Sequence, residues 1–448
     1  MDTDVVKGSN DESRPDQAKP VAVEGRAENF EQTAENPKQR AVEEGAEAKL
    51  AQARAGIREL DRTLTDLLIE RAGFYAQVAE AKAELNQPVK NDAVEAEKLA
   101  ALADRATDVD QGVMLAEIYR SIMRQARIYQ YRYLTEKRER FTARSPVSAV
   151  IPNRVRMTLP AYKIAVTQGT DSSHAAKAAG LLFPEATLLH TKTFANAACQ
   201  VTDAIAPVAV LPLENTTAGT VDEVYHLLER EPLYIVRSLD LPIHHRLCVL
   251  PGTKFSAIRR IISHPQALAQ CSVFTQTMGW ETEEIQNTAF AAAKVKADGQ
   301  KQQAALASPE AAKAYGLAVL PTEIANEGSN TTRFIALSTE PVIAAGADTL
   351  TLICRLPHRR GSLANLLALL ETYDLNLKKI LSRPVPGKPW EYSFYLDIET
   401  APLGDGADLA EAVASTDGGD KILAALAVLP QELEAVRLLG WYRQEQTP

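Results

Sequence analysis

The chain has few means of cross-linking itself or holding a soft metal. Its four cysteines, Cys199, Cys248, Cys271 and Cys354, stand far apart with no paired spacing. That excludes a disulfide framework and a cysteine-type zinc site, and predicts buried, small apolar thiols. No run approaches the roughly 18 apolar residues of a membrane span, and Met1-Asp2-Thr3-Asp4 lacks the basic and apolar stretches of a signal peptide. The expectation is a cytoplasmic protein without a membrane partner. Basic charge is in deficit: 49 Lys and Arg against 58 Asp and Glu leave a net charge of -9. This argues against nucleic acid as a partner and leaves small anions to be gripped by a few placed cations. Apolar residues are plentiful, 46% of 448, enough for two to four domains with real cores.

Residues 1–45 are polar and acidic, with Phe30 the one aromatic, and bury too little to offset ordering, so a disordered tail is expected. From 46 to 142 the composition predicts an all-α unit of three helices: Ala46 to Leu85, stopped by Gln87-Pro88, then Ala93 to Arg105, then Gln111 to Thr142. Residues 143–160 hold Pro146, Pro152 and Pro160 without periodicity and read as a linker. Between 161 and 340, short β-type runs (Lys163 to Val166, Val208 to Leu211, Ile258 to Ile262) alternate with Ala-rich helical stretches, as in an α/β domain. Ala344-Ala345-Gly346-Ala347 marks a boundary. Residues 347–443 then read strand, helix, strand, strand, helix, strand, a small α+β ferredoxin-like domain.

Two places concentrate chemistry. Asn330-Thr331-Thr332-Arg333-Phe334 follows a Gly-Ser turn and opens an apolar strand. Hydroxyls beside a fixed cation at a strand end suit a small anionic substrate, holding a carboxylate and offering a proton to a leaving oxygen; the same composition also builds turns. On the first helix, Leu60, Leu64, Leu67, Leu68, Tyr75 and Val78 trace a stripe expected to be buried, with Arg71 and Lys82 inside it. About three turns separate these cations, which face the same way roughly 16 Å apart; a dicarboxylate would bridge them, unless they snorkel or pair with Glu. Arg54, about 25 Å before Arg71 and on another face, reaches such a site only from a second subunit.

These helices resemble the all-helical chorismate mutase family. Arg54, in Ala53-Arg54-Ala55-Gly56-Ile57-Arg58-Glu59-Leu60-Asp61, matches that family's first arginine, Arg71 its second and Lys82 its lysine, while Glu95 and Gln130 match later polar ligands. The resemblance implies that Arg54 and Arg71 hold the carboxylates of chorismate and that Lys82 and Gln130 donate to the ether oxygen. Asn91, Val94 and Ala126 depart from the family, which usually has Asp and Arg near the substrate hydroxyl and Ser at the third position.

The middle of the chain resembles prephenate dehydratase through Leu211-Pro212-Leu213-Glu214-Asn215-Thr216-Thr217-Ala218-Gly219, Ser263-His264-Pro265-Gln266-Ala267-Leu268-Ala269-Gln270-Cys271, Asn287-Thr288-Ala289 and the Thr332-Arg333-Phe334 triplet, in the family's order. The implied fold is two-lobed α/β, like a periplasmic binding protein. The implied proton donor is Thr332, in a relay with Asn215, Thr216 and Thr217. Glu214 is counted with the prephenate contacts, and Arg333 is expected on the pyruvyl carboxylate, since tight pairing with the departing carboxylate would stabilise the ground state. Ser173, in the glycine loop Gln168 to His174, is a further contact or else a helix cap.

Gly361-Ser362-Leu363-Ala364 and Leu381-Ser382-Arg383-Pro384 resemble the phenylalanine-binding motifs of the dehydratase family's ACT domain, with Leu381 in place of its Glu. Together the resemblances, from Ala46 to Arg443, imply a bifunctional chorismate mutase/prephenate dehydratase, inhibited by phenylalanine, at least dimeric, and needing no metal or organic cofactor. The rivals are an arogenate dehydratase and a non-catalytic phenylalanine-binding regulator.

Overall fold

The computed structural model describes residues 37–85, 87–137, 146–326, 330–385, 387–388 and 390–447. Most of the expected tail, and the Gly328-Ser329 turn, lie outside the described residues. The chain divides into two compact units, one ending at Arg71 and one starting at Ala72.

Four helices come first: α1 (Pro37–Gly73), α2 (Tyr75–Glu84), α3 (Asp92–Ala103) and α4 (Val109–Lys137). The long helix expected from Ala46 starts nine residues earlier, at Pro37, and is interrupted at Phe74, directly after Gly73, whose missing Cβ weakens a helix interior. Among the described residues the leucine stripe is exposed: Leu60 is 70% exposed, Leu64 53% and Leu67 57%. Periodicity marked the apolar face correctly but says nothing of what covers it.

The second unit continues with β1 (Ile164–Gln168), α5 (His174–Leu182), β2 (Thr187–Thr191), α6 (Phe194–Thr202), β3 (Val208–Asn215), β4 (Gly219–Thr220), α7 (Asp222–Arg230) and β5 (Tyr234–Pro242). A second lobe follows: β6 (Arg246–Val249), β7 (Arg260–Ser263), α8 (Pro265–Gln270), α9 (Ser272–Met278), β8 (Glu281–Glu284), α10 (Thr288–Asp298), β9 (Gln303–Ala307), α11 (Pro309–Ala314) and β10 (Ala318–Val319). Its five-stranded sheet runs β10-β6-β9-β7-β8. The chain then returns to the first lobe as β11 (Thr331–Ser338), antiparallel between β3 and β5.

The last segment comprises β12 (Thr349–Arg355), α12 (Ser362–Thr372), β13 (Asn376–Pro384), β14 (Tyr392–Glu399), α13 (Leu409–Ala414), α14 (Gly419–Glu432) and β15 (Ala435–Tyr442), with sheet order β13-β14-β12-β15. Helix α13 was not expected in the Gly- and Asp-rich loop; Asp408 starts it by accepting the Glu411 N–H at 2.9 Å. Strand β16 (Gln444–Gln446) joins the first lobe's sheet, parallel to β5, completing the order β16-β5-β11-β3-β1-β2 with β4 on β3. The C-terminal segment is thus stitched to the α/β lobe. Gly440 permits that approach, since a Cβ there would lie 2.2 Å from the Ile235 carbonyl oxygen.

Two expectations fail here. The described part of the linker is packed: Val147, Val150 and Ile151 are buried in one core with Ile128 and Tyr131 of α4 and Leu426 of α14. Prolines interrupt long helices and strands without forbidding burial, and Pro146–Ala149 form a short 3-10 helix here. Of the cysteines, Cys248, Cys271 and Cys354 are buried but Cys199 is exposed. Among the described residues no helix is long and apolar enough to cross a membrane.

Candidate active sites

A cleft of about 500 Å³ is lined by β3, β11 and the starts of α5, α8 and α10, with Pro212, Asn215, Thr332, Phe334, His174 and His245 on its walls. A bulge in β3 opposite Arg333/Phe334 turns both Pro212 and Asn215 to this side, although they are three residues apart. The Asn215 carboxamide organises the floor. Its oxygen accepts from the backbone N–H of Thr217 at 3.1 Å and of Ala218 at 2.9 Å, and from the Thr217 hydroxyl at 2.7 Å. Backbone N–H groups only donate, so the oxygen must face them and the amide nitrogen must face the other way. That nitrogen donates to Thr332 Oγ1 at 2.9 Å, Asn330 Oδ1 at 2.6 Å and the Thr331 carbonyl at 3.2 Å.

Gln270 extends the network. It donates to Thr217 Oγ1 and accepts from Asn330 Nδ2 at 3.0 Å, with His245 Nε2 also 3.0 Å from its oxygen. Thr216 and Thr217 line an adjoining pocket with Gln270, Asn326 and Asn330. Sequence reading singled out neither Gln270 nor Asn330 by role, although both lie inside quoted motifs. It missed His174 and His245, whose rings are 6.3 Å apart. Burial, then the neighbouring His245, pushes His174 down to about 4; burial also lowers His245 and His264. Among the described residues the cleft is lined by no Lys, Arg, Asp or Glu, so it is uncharged at neutral pH.

Arg333 and Glu214 are not in that lining. Each is the sequence neighbour of a cleft residue, and alternation along a strand sends successive side chains to opposite faces. Arg333 meets Glu214 at 3.0 Å, Asp240 at 3.1 Å and Asp397 at 3.3 Å, with its side chain 19% exposed. Burial opposes its charge, but Asp240 and Glu214 outweigh that and raise its pKa above the ordinary arginine value. Lys379 of β13 pairs with Glu214 and donates to the Tyr225 hydroxyl at 2.7 Å. Asp397 of β14 accepts from Thr351 Oγ1 at 2.7 Å. The expected contact of Arg333 with a substrate carboxylate is therefore replaced by ion pairs that tie β3 and β11 to the C-terminal sheet. A lone Asp in the apolar strand Tyr392 to Ile398 was the available sequence signal. Ser173 likewise caps α5, accepting from the Ala176 N–H at 3.1 Å, and is not in the cleft lining.

In the helical region, within the unit from Ala72, Lys82 lies close enough to Glu95 and Arg127 for their charges to act on it, and Gln130 is buried on α4. Lys82 donates to the Val89 carbonyl at 2.5 Å; burial lowers its pKa, with Glu95 acting in the opposite sense. The Gln130 side-chain oxygen is buried and has no hydrogen-bond partner among the described residues. Asn91 caps α3, accepting from the Val94 N–H at 3.2 Å. Arg54 is exposed and Arg71 half-buried, both on α1.

At the C-terminal motifs, Gly361 caps α12 in the left-handed region at φ 80°, Ser362 is buried with its hydroxyl on the Pro357 carbonyl at 2.7 Å, and Leu363 is exposed. Ser382 and Pro384 are exposed on β13, which lies at the edge of its sheet. Arg383 is already engaged: it pairs with Asp222 at 2.8 Å and lies 5.3 Å from the centroid of the Tyr225 ring. That hydrogen bond holds Asp222 at about 2.

The chorismate mutase type II family model matches residues 53–131 and the prephenate dehydratase model residues 165–342. The bifunctional chorismate mutase/prephenate dehydratase of Buchnera aphidicola subsp. Schizaphis graminum is 30% identical over 354 residues, covering 77% of this chain and 88% of the relative. Arogenate dehydratase/prephenate dehydratase 6 of Arabidopsis thaliana is 34% identical over 299 residues, 63% of this chain and 69% of the relative. The crystal structure of an Arthrobacter aurescens prephenate dehydratase in complex with L-Phe is similar with a TM-score of 0.54 at 27% identity, over 62% of this chain and 90% of that one.

Proposed function

Since the chain belongs to the bifunctional chorismate mutase/prephenate dehydratase family, we propose that its two active sites act in series, residues 46–142 making prephenate and residues 161–340 consuming it. The protein converts chorismate to prephenate, then prephenate to phenylpyruvate, CO2 and water. The first step is a pericyclic rearrangement that needs positioning and electrostatics, not a nucleophile. Lys82 and the Gln130 amide supply donors for the ether oxygen, and Glu95 a polar contact beside them. Arg54 and Arg71 hold the carboxylates. The open leucine stripe of α1 supports a dimer in which Arg54 serves the second subunit's site.

In the second step the ring carboxylate leaves as CO2, its bonding electrons enter the ring, and the ring hydroxyl departs as water after gaining one proton. The observation that carries the assignment is the Asn215 amide donating to Thr332 Oγ1. It leaves the Thr332 proton free to point into the cleft and stabilises the oxygen as that proton moves to the leaving hydroxyl. Thr217, Gln270 and Asn330 hold Asn215 in this orientation. With no cation in the described lining, the departing carboxylate is not stabilised before it breaks away, which favours loss of CO2.

Residues 347–443 form an ACT-type regulatory domain; the strand order β13-β14-β12-β15 supports the ferredoxin-like assignment. Phenylalanine binds at Gly361, Ser362 and Leu363 together with Ser382 and Pro384, and Arg383 links that strand to the dehydratase lobe. The L-Phe complex of the Arthrobacter aurescens relative supports this reading. Similarity to an arogenate dehydratase keeps arogenate as the competing substrate, and the fused mutase favours prephenate. Feeding chorismate to the purified chain and following prephenate and phenylpyruvate together tests the series. Prephenate should rise and then fall as phenylpyruvate accumulates; no loss of chorismate, or prephenate that persists, would overturn one step or the other.

A further inference from the structure

Among the described residues of α4, Arg127 is the buried charged residue, and the two-step reaction leaves it without a role. It is buried, its side chain 10% exposed, and lies three residues before Gln130 on the same helix. Its guanidinium is shared between two carboxylates. Nη1 donates to Glu95 of α3, while Nε and Nη2 make a two-point contact with Glu432, at 2.6 Å and 3.2 Å. Glu432 is the last residue of α14, at the end of the third helix of the C-terminal domain.

A helix C-terminus carries partial negative charge and disfavours a carboxylate. Glu432 is therefore held there against the local field, and the compensating group is Arg127. The fork geometry matters, because a two-point contact fixes the plane of the guanidinium and hence the direction of the remaining N–H that meets Glu95. Two further contacts join the same surfaces: Arg124 to Asn365 at 3.0 Å and Arg359 to Asp92 at 3.0 Å. Ile128 and Tyr131 share their core with Leu366 and Leu429.

We propose that Arg127 is a positioning residue for the mutase reaction, which aims Glu95 at chorismate only while Glu432 braces it, so that the C-terminal domain completes the mutase site. The inference rests on the placing of Glu95 at chorismate made above. It goes beyond it in making the mutase site dependent on a residue some three hundred positions away in sequence. Movement of α14 then alters mutase affinity directly, without passing through the dehydratase cleft.

The test uses the full chain and Glu432→Gln. Chorismate KM should rise about tenfold, the equivalent of about 1.4 kcal/mol, with mutase kcat changed little and dehydratase kinetics on added prephenate unchanged. Arg127→Lys, which keeps the charge but not the fork, should behave alike. In a Glu95→Gln background, Glu432→Gln should have no further effect on KM, because it acts through Glu95. An unaltered KM in Glu432→Gln, an equal effect in both backgrounds, or parallel loss of both activities with a lowered melting temperature would overturn the proposal. Failure of the reading beneath it looks different: the wild-type chain, or Glu95→Gln alone, would show no mutase phenotype to modify.

Discussion

Replacing Arg333 by Met separates two roles that the sequence alone does not distinguish. If the guanidinium gripped the substrate, Arg333→Met would raise prephenate KM and leave stability alone. The structure instead surrounds it with Glu214, Asp240 and Asp397, all within 3.3 Å, and leaves 19% of its side chain exposed. Removing it strands three carboxylates, of which Glu214 alone keeps Lys379 among the contacts described above. Breaking a largely buried pair by deleting one partner costs about 3–5 kcal/mol, a large part of the roughly 5–15 kcal/mol of a typical domain. The pH dependence gives the sign. Burial raises Asp397 above its ordinary value despite the attraction of Arg333, so its ionised form costs stability, and that cost lessens as pH falls through the raised pKa. Without Arg333 the pKa rises further. Urea denaturation should therefore show a deficit for Arg333→Met that shrinks as pH is lowered from 7 towards the ordinary carboxylate value of 3.8, and Arg333→Met with Asp397→Asn should recover part of it. A variant of wild-type stability with prephenate KM raised about a hundredfold, or about 2.7 kcal/mol, would refute the structural role.

Thr332→Ala should abolish phenylpyruvate formation from prephenate while the melting temperature stays within a few degrees; Asn215→Ala should lose activity too, and an active Thr332→Ala would end the donor assignment. Because burial lowers Lys82, mutase kcat/KM should begin to fall at a pH below the ordinary lysine value of 10.5, and Lys82→Met should be inactive at every pH. Calorimetry should detect phenylalanine binding that Ser382→Trp removes, with basal dehydratase rate unchanged; no heat with the wild type would leave the C-terminal domain a structural module. His174, held near 4 in the fold against about 6.5 unfolded, takes up its proton more readily in the unfolded chain. Stability should thus decline as pH falls from about 6.5 towards 4, less steeply in His174→Gln, as read by thermal unfolding across that range.

Much of the fold was legible because it rests on local periodicity. The short β-type runs at Val208 and Thr349 became strands and the Leu-rich stretch after Ser362 became α12; the last two end within one residue of expectation, while β3 runs four residues beyond Leu211. Where expectation failed, the deciding interaction was distant in sequence. Val147, Val150 and Ile151 read as linker because their partners, in α4 and α14, are not their neighbours. The leucine stripe read as buried because periodicity identifies a face and not its cover.

The sequence by itself singled out the residues to which chemistry is assigned: the hydroxyls of the Thr332 loop, the amide of Asn215, and the cations and amide of the helices. Their order along the chain also determined the family. Only the tertiary structure decided which way those side chains point. Thr332 and Arg333 are adjacent in sequence, yet one lines an uncharged cleft and the other lies in an ion-pair network reaching the C-terminal sheet. A strand sends neighbours to opposite faces, and which face meets a cleft is set by the elements packed on each side.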